Sequence, residues 1–340
     1  MKRRTPQAIA AVLFGLALLA GPAYAADDLV VGRLTLVDAS EAVPYAYWYY
    51  VPESALDGRV AGLVWHATPG GIDPDDPVFW ARFDLPQFLA CQPGWSEPSI
   101  NLPEEHGLVL FSVAVPRPEA AFYAARPGIP LGYPDALSSL GNQDALGTKY
   151  EDPDLRALAS IVDLERRLTA GGIRFDERLF LTGVYHGAEW CHRFALLHPE
   201  RVRAVAPVAG SVYTMPSTEL DDGPLPWPLG LARLESLGRE SVDWPTYLGI
   251  PYYVTTSIHE ILWYNRMTPE EQGVEDHHLD RYVERFGSIP PEREASFAEE
   301  LLAVGLDVQL TWSEGGHGWI DPVRIRVFEF FASFERMAKP

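Results

Sequence analysis

The sequence predicts an α/β fold: a mainly parallel sheet with an antiparallel hairpin at its N-terminal end and helices on both faces. Three observations carry this. Short apolar runs alternate with amphipathic helical stretches from Leu29 to Met337. Two of the runs, Val60–Trp65 and Val202–Val208, are almost continuously apolar, as strands covered on both faces are. The stretch Gly183-Val-Tyr185-His186-Gly187 joins an apolar run to a helical pattern through a turn bracketed by glycines.

Taken in order, the chain begins with Lys2, Arg3 and Arg4, continues through the apolar segment Ala8–Ala20, and reaches the small-x-small site Ala23-Tyr24-Ala25. Residues 1–25 are expected to be a cleaved signal peptide and the protein to be secreted or periplasmic. The apolar segment is shorter than the roughly 18 residues of a membrane span, and no other stretch reaches that length. No membrane insertion is expected after cleavage. Residues 26–340 suffice for one large domain.

Leu29–Val37 and Val43–Val51 read as the hairpin, the second strand carrying Tyr45, Tyr47, Trp48, Tyr49 and Tyr50. Val60–Trp65 is the first buried strand and runs into His66-Ala67-Thr68-Pro69-Gly70-Gly71, and Gly107–Val115 is the second. Asp154–Thr169 is an amphipathic helix with Leu155, Leu158 and Val162 on one stripe, ended by Gly171-Gly172. After the glycine-bracketed turn, Trp190, Phe194 and Leu197 repeat at helical spacing. Ile250–Thr256 and Val308–Trp312 are further strands, and Glu292–Val304 and Pro322–Met337 further helices. Insertions at 117–151 and 211–248 are rich in proline and aromatics. Each leaves the C-terminal end of a parallel strand, where open α/β sheets bind ligands, so both are expected to wall a cleft.

Composition narrows the partners. The chain carries a net charge of −20. Residues 1–25 hold three basic and no acidic residues, so the remainder stands at 24 minus 47, or −23. Such a surface repels nucleic acid and anionic membranes. The two cysteines, Cys91 and Cys191, are an even count that an oxidising compartment allows to pair, subject to a distance that sequence does not give. His259 and His277-His278 lack metal-ligand spacing, so no metal and no cofactor is expected.

The order of elements, with Leu181-Thr-Gly-Val-Tyr-His-Gly187 followed by Arg193-Phe-Ala-Leu-Leu-His-Pro-Glu-Arg-Val202, resembles the α/β-hydrolase superfamily over nearly all of residues 26–340. Within it the chain resembles secreted serine esterases of the polyhydroxybutyrate-depolymerase-like and feruloyl-esterase-like kind. The resemblance implies a nucleophile elbow G-x-S-x-G, an acid and a histidine in that chain order. The elbow serine is here Tyr185. His317, in Gly315-Gly316-His317-Gly318-Trp319 after the last strand, takes the histidine position. Glu260 takes the acid position, with Ser257 where the family pattern has glycine; a helix-starting glutamate is the alternative reading. The family's oxyanion hole maps to the amides of His186 and of Ala67 or Thr68.

Serine works at an elbow because its oxygen lies one bond from Cβ, between the histidine and the amides. A tyrosine hydroxyl lies several bonds further out across a rigid ring and overshoots that geometry. Three functions stay open: a binding or regulatory protein that keeps the cleft without serine chemistry, a carboxylic ester hydrolase using Tyr185 or water activated by His317, and a carrier or scaffold. His186 is read either as a base on water or as part of the cleft wall. The expected partner is a small-molecule or polymer ester, or an aromatic ligand that stacks on ring faces.

Overall fold

The computed structural model describes residues 24–68, 77–92, 98–116, 151–210, 212–221, 223–232, 234–235, 239, 241–259, 276–314 and 320–337. Its centre is an eight-stranded sheet of β1 (Thr35–Val37), β2 (Tyr47–Tyr50), β3 (Val60–Ala67), β4 (Leu108–Val113), β5 (Arg174–Val184), β6 (Val202–Val208), β7 (Tyr252–Ser257) and β8 (Val308–Ser313). The spatial order is β1-β2-β4-β3-β5-β6-β7-β8. Only the β1–β2 and β2–β4 pairs are antiparallel; every other pair is parallel. This is the α/β sheet with an N-terminal antiparallel edge that the sequence predicts.

Helices cover both faces, and the strands supply both with apolar side chains by alternation. On β3, Leu63 and Trp65 enter one core and Val64 the other; on β5, Leu179 and Leu181 enter the first and Phe180 the second. The first core takes α2 (Pro153–Ala170) through Leu158, Ile161 and Leu164, α3 (His186–Leu197) through Trp190 and Phe194, α4 (Asp276–Phe286) through Tyr282, and α5 (Pro290–Ala303) through Phe297 and Leu301. The second takes α6 (Asp321–Met337) through Val323, Val327 and Phe331, beside Phe88. Helix α1 (Pro77–Asp84) precedes Phe88 in the chain.

Two expectations need correction. The hairpin strands are much shorter than Leu29–Val37 and Val43–Val51: the ladder is confined to Thr35–Val37 against Tyr47–Tyr49. Gly32 turns the chain at φ 70° before β1, and Pro44, which has no N–H to donate, precedes β2. In the 211–248 insertion, Tyr213, Met215, Leu225 and Leu229 are fully buried in the first core. It also carries a small ribbon, Glu219–Leu220 against Gly223–Pro224, and a helical turn at Trp244–Tyr247. Residues 117–150 of the other insertion lie outside the described residues.

The second correction concerns the cysteines. Both are buried and both are free. Cys91 lies in the second core with its thiol directed at the Asp321 carbonyl, 3.7 Å away, while Cys191 lies in the first core. The sheet stands between them, so no disulfide joins them. Burial pushes the Cys91 thiol up to about 12, helped by the nearby Asp321 carboxylate. Burial raises that of Cys191 as well, against a backbone hydrogen bond from Ala67. Both thiols are therefore poor nucleophiles.

Candidate active site at the strand-to-helix elbow

Strand β5 ends at Val184 and α3 begins at His186, leaving Tyr185 alone to make the turn. It does so at φ 54° and ψ −118°, a conformation costly for a residue with a side chain. The surroundings hold it there. The Tyr185 amide donates to the Val208 carbonyl at 3.1 Å, and its carbonyl accepts the Glu189 amide at 3.1 Å as the first bond of α3.

The bracketing glycines explain how so sharp a turn fits. A Cβ on Gly183 would lie 2.6 Å from the Ala67 carbonyl oxygen, and one on Gly187 would lie 2.2 Å from the same atom. Both positions are closed to any side chain because the end of β3 runs directly beneath the turn. The glycine spacing read from sequence is thus a packing requirement of the β3–β5–α3 junction.

Around this turn the predicted residues fall as follows. The Tyr185 ring is half-buried and packs against the second core, on the α6 side of the sheet. Ala67 ends β3, and Thr68 follows it, half-buried. His186 is the first residue of α3, where the leading amides have no acceptor inside the helix. Ser257, at the end of β7, is buried, and its hydroxyl accepts the His259 amide at 3.1 Å. Glu260 and His317 lie outside the described residues.

One constellation at the elbow was not read from sequence. The imidazole Nδ1 of His186 stands 3.2 Å from a carboxylate oxygen of Glu189, one helical turn along. That carboxylate is 2% exposed and is fixed from other sides: it accepts the Val212 amide at 2.8 Å, and the Arg193 guanidinium lies 3.5 Å away. Arg193 is buried too, and donates to the Thr214 hydroxyl and the Val212 carbonyl, both at 2.9 Å. Burial pulls the Arg193 pKa down to about 9, while Tyr282 opposes the fall. The His186-x-x-Glu189 and Glu189-x-x-x-Arg193 spacings were visible as helical neighbours. Charged residues at such spacing ordinarily lie on a solvated helix face, and nothing in the sequence marks Glu189 as buried.

Beside this network Glu294 of α5 accepts the Gly210 amide at 2.9 Å and the Tyr213 hydroxyl at 3.1 Å. Together Glu189, Arg193 and Glu294 tie Gly210 and residues 212–214, which follow Ala209 (φ 50°) at the end of β6, to α3 and α5. No group of three or more metal-ligating side chains occurs among the described residues.

The strand order, the antiparallel edge, the two helical layers and the positive-φ elbow after β5 define the α/β-hydrolase fold. The backbone is similar to that of poly(aspartic acid) hydrolase-1 from Sphingomonas sp. KT-1, with a TM-score of 0.56 at 13% identity over 91% of this chain and 100% of that one. A more distant likeness joins it to the thermophilic carboxylesterase EstE1 from a metagenomic library, with a TM-score of 0.47 at 14% identity over 99% of each chain. No protein-family model matches the sequence, and no curated protein matches it. At such identities the likeness establishes the fold and leaves the chemistry to the residues of this chain.

Proposed function

We propose that the protein is an esterase-type hydrolase-fold protein, exported, whose cleft receives an ester or aryl ligand and forms no serine acyl-enzyme. It acts as a binding or regulatory protein. One observation carries this reading: the apex of the glycine-closed elbow, at φ 54° and ψ −118°, is Tyr185. A hydroxyl at the end of that ring cannot occupy the position one bond from Cβ from which serine attacks. The ring itself packs into the second core and fills space at the turn.

Charge narrows the ligand. The structural relative's name specifies poly(aspartic acid), a polyanion. A chain at −20 repels polyanions, so this cleft suits neutral or cationic aromatic ligands instead. The test pairs a serine-directed fluorophosphonate with binding of an aryl-ester series and its amide isosteres, measured by titration calorimetry. The wild type is expected to bind and to remain unlabelled; labelling by the fluorophosphonate at any residue of the elbow overturns the reading.

A second reading, an active carboxylic ester hydrolase without serine, draws support from the His186–Glu189 pair. Its candidate groups from sequence are Tyr185 and water activated by His317. The elbow offers another.

A further inference from the structure

We infer that His186, held by Glu189, is a general base at the elbow that activates water against a bound ester. The inference rests on the reading above in one respect, that the elbow faces a ligand cleft. It adds a non-covalent reaction to that cleft.

The geometry is that of an oriented imidazole. In hydrolytic triads a buried carboxylate grips one ring nitrogen, which fixes the tautomer and aims the other nitrogen at the reacting atom. Here Glu189 grips Nδ1 at 3.2 Å. Glu189 is itself held by the Val212 amide at 2.8 Å and by Arg193 at 3.5 Å. With Nδ1 so engaged, Nε2 is the nitrogen left to meet a ligand, and the side chain is 19% exposed against 3% for that of Glu189. A wall residue needs neither a carboxylate behind it nor that carboxylate's own fixed partners. The ring also leads α3, whose first amides point outward and favour negative charge.

The step balances with water as the only co-reactant. His186 Nε2 takes a proton from water as the water oxygen bonds to the ester carbonyl carbon. The carbonyl electron pair moves onto oxygen, beside the first amides of α3. The tetrahedral adduct collapses, the carbon–alkoxide bond breaks, and the imidazolium returns its proton to the leaving alkoxide. Products are the acid and the alcohol, and no bond to the protein forms. In this scheme His186 is the catalytic residue and Glu189 a positioning residue.

The experiment uses the full-length protein with p-nitrophenyl acetate and p-nitrophenyl butyrate, alongside calorimetric binding of the corresponding aryl amides. Wild type is expected to hydrolyse the esters slowly with no burst of p-nitrophenol. His186→Ala should lose on the order of 10²-fold in kcat, the range for a general base, with KM little changed. Added imidazole should restore part of that loss in His186→Ala. Glu189→Gln, which can still accept the Val212 amide, should lower kcat about tenfold with KM unchanged, a split that general loosening of the fold does not produce. Circular dichroism checks that each variant is folded; should His186→Ala fail to fold, His186→Gln takes its place. Turnover by His186→Ala equal to wild type, or a loss that imidazole does not restore at all, overturns the inference. Amide binding without any ester turnover overturns it too, while the binding reading stands. Absence of both binding and turnover removes the cleft itself and both readings with it.

Discussion

The Ala67 carbonyl oxygen and Gly187 approach so closely that a single methyl group on the glycine would sit 2.2 Å from that oxygen. The contact joins the end of β3 to the first turn of α3 and sets how tightly Tyr185 must turn between them. Gly187→Ala must push α3 away from β3 to relieve the overlap. A loss of about 3 kcal/mol in unfolding free energy is expected, the upper range for overpacking a tight site. Urea denaturation measures it; a loss under about 0.5 kcal/mol, the level of an ordinary surface change, contradicts the junction described here.

Replacing the elbow tyrosine tests what the fold has kept. Tyr185→Ser shortens the side chain to the reach of a hydrolase nucleophile and opens the space that the ring fills. If the amides of His186 and of Ala67 or Thr68 and the histidine at 317 are placed as the family resemblance implies, the variant gains fluorophosphonate labelling and a burst of product from aryl esters. Electrostatic stabilisation by such amides is usually the largest single contribution, so the gain should be well above background. A serine variant as silent as the wild type shows that the remaining groups are not arranged for acyl transfer.

The buried pair at the base of the site gives a stability prediction with a clear asymmetry. Glu189→Ala strips Arg193 of its carboxylate and leaves the Val212 amide unmatched in a dry site, a loss of about 3–5 kcal/mol. The double variant Glu189→Leu with Arg193→Met removes both charges and should recover a large part of that loss. Thermal unfolding of the two variants decides it. Equal destabilisation in both means that hydrogen bonding, not unpaired charge, dominates.

Acid sensitivity should trace to His192. Its ring is wholly buried, donates through Nε2 to the Thr214 carbonyl at 2.6 Å and accepts at Nδ1 from the Tyr252 hydroxyl at 3.2 Å. Burial lowers its pKa to about 4, against the Thr214 bond, which raises it. The unfolded chain takes up this proton near pH 6.5 and the folded chain only near pH 4, so stability drains as pH falls between those values. The full loss is roughly 3 kcal/mol. His198 acts in the opposite sense: burial disfavours its charged form, but the Asp154 and Glu200 carboxylates outweigh that and raise its pKa. Its stabilisation is present at low pH and is lost as pH rises through the raised value. Comparing wild type with His192→Gln from pH 7 to pH 4 separates the two, and the variant's stability should fall less steeply.

The N-terminus offers a further measurement. The Tyr24 hydroxyl donates to Asp163, whose other oxygen accepts the Tyr47 hydroxyl at 2.6 Å, and Arg167 lies over the Tyr24 ring at 4.1 Å. If the chain is exported as proposed and cut after Ala25, the mature protein loses Tyr24 and with it these contacts to Asp163 and Arg167. Intact mass of the exported form is expected to show a chain that begins at Ala26, and a chain that retains Tyr24 contradicts cleavage at this site.

How much of this was legible follows from where the information lies. The strand Val202–Val208 was read to the residue, because a buried parallel strand writes itself as an apolar run. Helix α2 was read to within one residue at each end, because its stripe ends at a glycine pair. The elbow was legible through its glycines, which answer to a backbone contact rather than to a side chain. Helix α4 was missed: its sequence is mostly polar, and among its described side chains Tyr282 and Phe286 enter the core with Val283 packed against it. The cysteine pairing could not be judged, since it depends on which face of the sheet each thiol reaches. The role of Glu189 was hidden because the Val212 amide that it accepts comes from the segment after β6. The acid and histidine positions at 260 and 317 rest on sequence, being outside the described residues.

The way that Arg193 binds the segment after β6 has an evolutionary consequence. Its guanidinium reaches the Val212 carbonyl, the Thr214 side chain and, at 3.5 Å, the Pro228 carbonyl, while the same helix carries His186. In a modular design the loops above a sheet can be exchanged to change what is recognised while the machinery below stays intact. Here the two are spliced together. A replacement for residues 210–230 that lacks acceptors for Arg193 would strand its charge in the core and loosen Glu189 behind His186. Change in that segment is therefore constrained to substitutions that preserve its backbone path and its acceptors for Arg193.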